Sequence, residues 1–136
     1  MRIGLLLGSF DPVHNGHLEM AQKALEADLV DQVLFVPTKQ NPWKENSSEY
    51  VTRCMMLLTA IKNIPNCKVS AIENKITPPY YSYKTLEALK ERYKWDDLFL
   101  IVGADTATSI KDWNNGDISN FARYIGQLEI WKLQIN

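Results

Sequence analysis

Four short apolar runs, at residues 2 to 7, 32 to 36, 68 to 72 and 98 to 102, alternate with segments whose apolar residues recur every three or four positions. Strand-length runs separated by helix-period segments predict a parallel sheet. Parallel neighbours need a crossover, and strands buried on both faces read as nearly unbroken apolar stretches. The expected fold class is α/β, a doubly wound parallel sheet with helices on both faces. Leu18, Ala21 and Leu25 mark the inner face of a first helix. Val51, Cys54, Met55, Leu58 and Ile61 mark a second, with Asn46 to Ser48 as its candidate caps, and Leu86, Leu89 and Tyr93 mark a third behind Ser82. With 136 residues the chain is expected to be one domain, 1–136, able to bury about two thirds of the surface its unfolded form exposes.

The bulk properties exclude several classes of function. Fifteen basic against sixteen acidic residues leave a net charge of -1, so there is no overall basic field for nucleic acid or anionic lipid, and neither partner is expected. No apolar run approaches the roughly 20 residues of a membrane span, and the first residues lack the pattern of a signal peptide, so the expected location is cytoplasmic. Cys54 and Cys67 have no CxxC spacing, which favours two reduced structural thiols over a disulfide or a metal site.

Any phosphate binding must therefore be local, and one segment is suited to it. The first apolar run feeds directly into Gly8-Ser9-Phe10-Asp11-Pro12-Val13-His14-Asn15-Gly16-His17. A strand that ends in a small-residue turn and opens a helix brings backbone N–H groups to the place where an anion docks. The chain's two histidines are both here. A helix starting near Asn15 or Gly16 puts His14 on the turn before it and His17 in its first turn, so that both rings face one anion. The alternative is one imidazole capping the turn and the other solvated.

In a doubly wound sheet, ligands collect outside the carboxyl ends of the strands. Gly8 to His17 follow the first run, Pro37 to Lys44 the second and Gly103 to Asp105 the fourth, so the candidate residues converge on that edge. Thr38 to Glu49 is the longest polar connection and reads as a loop over it. Gly103 allows close backbone approach, and Asp105 is an N-cap for the next helix. Arg53 either pairs with a phosphate through its bidentate fork or forms an ion pair with Glu49, one helical turn earlier.

The segment Gly-Ser-Phe-Asp-Pro-x-His-x-Gly-His resembles the signature of the HxGH nucleotidyltransferase superfamily. Three later stretches, Asn41-Pro42-Trp43-Lys44, Ser82-Tyr83-Lys84-Thr85-Leu86 and Gly103-Ala104-Asp105 with Trp113, are similar to those of the bacterial nicotinate-nucleotide adenylyltransferases. The resemblance covers roughly residues 1 to 117. It implies a Rossmann-like sheet and transfer of AMP from ATP, used with Mg²⁺, to nicotinate mononucleotide, giving deamido-NAD and pyrophosphate. It further implies that Gly8, Ser9 and Phe10 contribute backbone to the nucleotide site, that Lys44 and Asp105 contact the nucleotide, and that Thr85 and Trp113 hold the pyridine ring. The side chain of Phe10 reads equally well as core.

In such a transfer the acceptor phosphate attacks the α-phosphorus in line and pyrophosphate leaves, so positioning and charge neutralisation carry the rate. His17 is expected to stabilise the transition state and His14 to hold the phosphate chain. An ordinary imidazole is about a quarter protonated at pH 7; a helix N-terminus lowers that fraction and phosphates raise it, so both rings are expected to be cationic in the complex.

From about residue 117 the chain departs from the family pattern. The Ile-Ser-Ser-Thr-x-x-Arg-like segment that opens a phosphate-binding helix is missing; Ile118-Ser119-Asn120 with Arg123 does not match it. The tail reads as atypical or truncated, or as relying on donors from a second copy in a homo-oligomer, or on Arg123 and nearby lysines. Residues 128 to 135 have strand composition, with a slip at Ile130-Trp131 expected to mark a bulge or an edge strand. Two other readings stay open: a nucleotide-binding module with impaired catalysis, and another member of the superfamily such as a pantetheine-phosphate adenylyltransferase or a cytidylyltransferase.

Overall fold

The computed structural model describes residues 1–39, 49–77, 82–103, 118–125 and 128–133. In chain order these form β1 (Arg2–Gly8), α1 (Asn15–Glu26), β2 (Gln32–Pro37), α2 (Tyr50–Ile61), β3 (Cys67–Val69), a 3₁₀ turn (Ile72–Lys75), α3 (Ser82–Arg92), β4 (Asp97–Gly103), β5 (Ile118–Ile125) and β6 (Leu128–Leu133). One six-stranded sheet results, in the order β3-β2-β1-β4-β6-β5. The first four strands are parallel, and β6 and β5 are antiparallel additions beside β4. This is the Rossmann-like α/β arrangement, with an antiparallel hairpin at one side.

Strand alternation sorts the core into two layers. Leu6, Val33, Phe35, Ile101 and Ile130 face α1 and α2, where Ala21, Ala24, Leu57 and Ile61 cover them. Ile3, Leu5, Leu34, Val36, Leu98, Leu100 and Val102 face the other way, beneath Leu86 and Leu89 of α3 and Ile72 of the 3₁₀ turn. Two alanines on the buried side of α1 let that helix lie close to the sheet. Each fully buried Leu, Ile or Phe contributes about 1.5–3 kcal/mol relative to leaving it exposed.

Three expectations change. The run at 68 to 72 pairs with β2 only over Cys67–Val69; Ile72 is buried, but as the start of the 3₁₀ turn. In α2 the helical period is right and its phase is not. Arg53, Leu57 and Ile61 are buried, while Val51, Met55 and Leu58 are 65%, 62% and 54% exposed. The cap of α2 is Glu49, without a side-chain cap bond, and the expected caps Asn46 to Ser48 lie outside the described residues.

The third change concerns the tail. β6 is interior, with β4 on one side and β5 on the other, and the register irregularities fall between Ile118 and Asn120 and between Phe121 and Arg123 of β5. The second irregularity lies opposite Ile130-Trp131, which pair with Arg123 and Phe121, so the bulge expected there is present with its extra residue on β5, while β6 itself keeps its alternation. Ile130 packs with the α1 and α2 layer, and Trp131 and Leu133 with the opposite one, as a strand covered on both faces requires.

Candidate active site

The carboxyl ends of β1, β2 and β4, at Gly8, Pro37 and Gly103, lie on one edge of the sheet, and the amino end of α1 rises from it. His14 is the N-cap of α1, in extended backbone, and His17 follows in the first turn. The Nδ1 of His14 accepts the Gly16 N–H at 3.1 Å, and the Nδ1 of His17 accepts the His14 N–H at 3.1 Å. Two imidazoles thus perform the reciprocal capping that Ser/Thr and Glu/Gln perform in an ordinary helix. The rings stack, with centroids 3.7 Å apart and planes 23° apart.

This pairing fixes the chemistry of both rings. An Nδ1 that accepts an N–H carries no proton of its own, so each neutral ring holds its proton on Nε2. Neither Nε2 has a hydrogen-bond partner among the described residues. The N–H groups of His14 and Gly16 are spent within the cap, so the donors left here are the two Nε2–H groups of the stacked rings and not those backbone amides. Burial pushes the His17 pKa down, helped by the neighbouring His14. Charging His17 would also give up its bond at Nδ1, so in the free protein burial and capping both favour its neutral form.

The glycine between the histidines has a steric cause. A Cβ on Gly16 would lie 2.9 Å from Cε1 and 3.0 Å from Nδ1 of His14, so any side chain there displaces the ring. The aromatic floor has one too. Phe10 adopts φ 49°, a costly left-handed conformation for a bulky residue. That backbone turns its ring into the core, edge-on to His17 at 4.8 Å and tilted against Phe35 at 5.7 Å. The side chain of Phe10 is therefore core and at the same time sets the plane of His17.

Other expected site residues fall into place differently. Gly8 and Ser9 lie at the mouth of β1. The Gly8 carbonyl accepts the Thr38 N–H at 2.8 Å, and the Ser9 carbonyl accepts Arg53 Nη1 at 2.7 Å. A Cβ on Gly103 would meet only Met20 Cε, at 4.0 Å, so the described packing does not itself demand glycine there. Lys44, Asp105 and Trp113 lie outside the described residues.

Arg53 holds backbone at the ligand edge. It is 2% exposed, and its guanidinium donates to the carbonyls of Ser9 and Thr38, both at 2.7 Å, and of Lys39 at 3.1 Å. These donors clamp the loop after β1 to the loop after β2. Thr85 is likewise 1% exposed, and its hydroxyl donates to Glu73 Oε2 at 3.0 Å, so its side chain serves the interior.

Glu73 carries no motif that marks it in the sequence. It is buried in the 3₁₀ turn, where Oε1 accepts the Lys39 N–H at 2.8 Å and Oε2 accepts the Thr85 hydroxyl. Burial raises its pKa, opposed by these two hydrogen bonds and by the charge of Arg53. Cys54 and Cys67 are both free thiols, and burial pushes Cys67 up to about 11, so it is a poor nucleophile at neutral pH. Among the described residues no three His, Cys, Asp or Glu side chains converge as a metal cage.

A doubly wound sheet whose first strand delivers paired imidazoles to its carboxyl edge defines a nucleotide-binding α/β domain of the nucleotidyltransferase kind. Residues 5–132 match the cytidylyltransferase-like family model, and the chain belongs to that family. The match runs beyond residue 117 and takes in β5 and most of β6.

Within the family the similarity is to nicotinate-nucleotide adenylyltransferases. The chain is 37% identical over 128 residues to the nicotinate-nucleotide adenylyltransferase of Bacillus subtilis, covering 92% of this chain and 68% of that one. It is 40% identical over 117 residues to a probable nicotinate-nucleotide adenylyltransferase of Carboxydothermus hydrogenoformans, covering 85% and 58%. Among solved structures, a Plasmodium falciparum nicotinic acid mononucleotide adenylyltransferase complexed with NaAD superposes with a TM-score of 0.71 at 22% identity, over 85% of this chain and 58% of that one. At that identity the superposition speaks to the fold. The chain thus spans between about half and two thirds of the length of these proteins. No helix among the described residues is long and apolar enough to cross a membrane.

Proposed function

We propose that this chain is an enzyme that transfers AMP from ATP to nicotinate mononucleotide, yielding deamido-NAD and pyrophosphate. The observation that carries the reading is the His14–His17 pair, with both Nε2–H groups offered at the carboxyl edge of the sheet. An oxygen of the acceptor phosphate forms a bond to the α-phosphorus of ATP as the bond from that phosphorus to the bridging oxygen breaks, and pyrophosphate leaves with the electron pair. The reaction needs no nucleophilic side chain. It needs donors fixed where negative charge grows, and each such donor is worth about 10²–10³ in rate.

In this reading His17 donates to the phosphoryl group in transfer and His14 to the phosphates that leave. Their capping bonds hold both rings before substrate arrives, so little reorganisation accompanies the reaction. Mg²⁺ enters with ATP as part of the substrate and offsets triphosphate charge; the described residues supply no cage for it. Gly8, Ser9 and Phe10 contribute backbone beside the nucleotide, Lys44 and Asp105 contact it, and Gly103 gives it room. The Ser82–Leu86 segment at the start of α3 and Trp113 take the pyridine, with Thr85 acting through its backbone because its hydroxyl is already bonded. The location that suits this activity is the cytoplasm.

A second reading, nucleotide binding without turnover, is favoured by one observation. β5 and β6 pair antiparallel beside β4, and residues 118 to 133 carry no Ile-Ser-Ser-Thr-x-x-Arg-like segment. Incubation with ATP, Mg²⁺ and nicotinate mononucleotide, followed by mass spectrometry, separates the two. Deamido-NAD supports transfer, whereas calorimetric binding of ATP without product supports the module. A parallel incubation with nicotinamide mononucleotide reads the choice of pyridine.

A further inference from the structure

Glu73 lies below the ligand edge and touches two segments that the proposed reaction must keep in register. Its Oε1 holds the backbone of Lys39, where the chain leaves β2, and its Oε2 holds Thr85 in α3. Lys39 and Thr85 are far apart in sequence and belong to different segments, the loop after β2 and the helix α3. The Lys39 carbonyl is also held by Arg53, which reaches on to Ser9 in the loop after β1. The carboxylate therefore joins the strand end that precedes the phosphate-side loop to the helix that begins the pyridine side.

A carboxylate suits this place because both partners donate. A buried negative charge is costly unless it is paired and hydrogen-bonded, and here Lys39, Thr85 and the charge of Arg53 offset part of that cost. Packing alone would be served as well by a leucine, as it is at Leu86 next to Thr85.

We propose that Glu73 is a positioning residue, which sets the phosphate-side and pyridine-side halves of the site at a fixed separation for in-line transfer. The proposal rests on the adenylyl-transfer reading for its consequence, though the linkage itself is a property of the free protein. Misplacing one reactant by about 1 Å costs about 100-fold in rate without abolishing binding. Glu73→Ala is therefore expected to lower kcat about 30- to 100-fold, with KM for ATP and for nicotinate mononucleotide changing less than about threefold. Glu73→Gln is expected to stay within about fivefold of the native kcat, because its carbonyl oxygen accepts from Lys39 and its amide group donates to the Thr85 hydroxyl.

The decisive experiment is amide hydrogen exchange at Lys39 in the native protein and in Glu73→Gln, Thr85→Ser and Thr85→Val, read beside steady-state kinetics. Thr85→Val removes a hydroxyl that donates to Glu73, and it is expected to speed exchange at Lys39 about threefold or more by loosening the shared carboxylate, while Thr85→Ser leaves it near native. Unchanged Lys39 exchange in Thr85→Val overturns the proposal, as does a Glu73→Ala protein whose kcat per folded molecule equals the native value. If the native protein forms no dinucleotide, the adenylyl-transfer reading falls, and the exchange experiment still decides the linkage.

Discussion

His14 and His17 stack at 3.7 Å, and each takes a backbone N–H of the α1 cap at Nδ1, so the helix start and the candidate donors are one structure. Stability and turnover are separable at these positions. His14→Asn keeps a good N-cap and is expected to hold stability within about 1 kcal/mol in urea denaturation. His17→Ala is expected to lose about 1 kcal/mol of stability and about 10²–10³ in turnover at saturating substrates. Near-native turnover in His17→Ala would remove that ring from the reaction.

Two groups give stability opposite dependences on pH. His17 has a folded pKa below its ordinary 6.5, so its contribution is present above pH 6.5 and is lost as pH falls through the folded value. Glu73 has a folded pKa above its ordinary 4.5, so its contribution is present below pH 4.5 and is lost as pH rises through the folded value. Denaturation midpoints measured across pH are expected to show the first slope vanish in His17→Ala and the second in Glu73→Gln.

Arg53 should matter to folding before it matters to ligand. Removing it strips the donor from three carbonyls, at Ser9, Thr38 and Lys39, and hydrogen bonds to a charged group contribute about 1.5–3 kcal/mol each. Arg53→Ala is expected to lose about 4 kcal/mol or more in urea denaturation, a large share of the stability of a domain this size. Arg53→Lys recovers only part of it, since an ammonium cannot reproduce the planar fork.

The two faces of α2 offer a direct comparison. Leu57→Ala is expected to cost about 2–5 kcal/mol, and Met55→Lys, on the exposed face, less than about 0.5 kcal/mol. Equal costs at the two positions would reverse the assigned orientation of the helix.

Why α2 misleads shows how far local pattern reaches. β1, β2 and β4 are legible because continuous apolar runs have one solution in a sheet covered on both faces. The buried face of α2 contains Arg53, whose compensating carbonyls come from Ser9, Thr38 and Lys39, residues that a periodicity reading never compares with it. Ile72 was legible as core but not as a turn, because burial alone does not distinguish a strand from a 3₁₀ segment. His14 and His17 were legible as a pair because Gly16 and the preceding strand gave them a place. Their Nδ1 roles were not, since a histidine cap leaves the same letters as a histidine ligand. Glu73 left no trace, as one acidic residue in a polar stretch matches any solvated surface. β6 was legible from the strand composition of residues 128 to 135, but its antiparallel place between β4 and β5 was not, because pairing partners leave no local pattern.

The central claim is that two imidazoles capped at Nδ1 offer Nε2–H groups to a triphosphate, and ¹⁵N spectra of histidine-labelled protein, with and without a non-hydrolysable ATP analogue and Mg²⁺, test it most directly. The expected result is an unprotonated Nδ1 and a protonated Nε2 on both rings in the free protein, with both Nε2–H signals shifting as the analogue binds. Protonated Nδ1 on either free ring, or Nε2 signals that stay unmoved at saturating analogue, would contradict it.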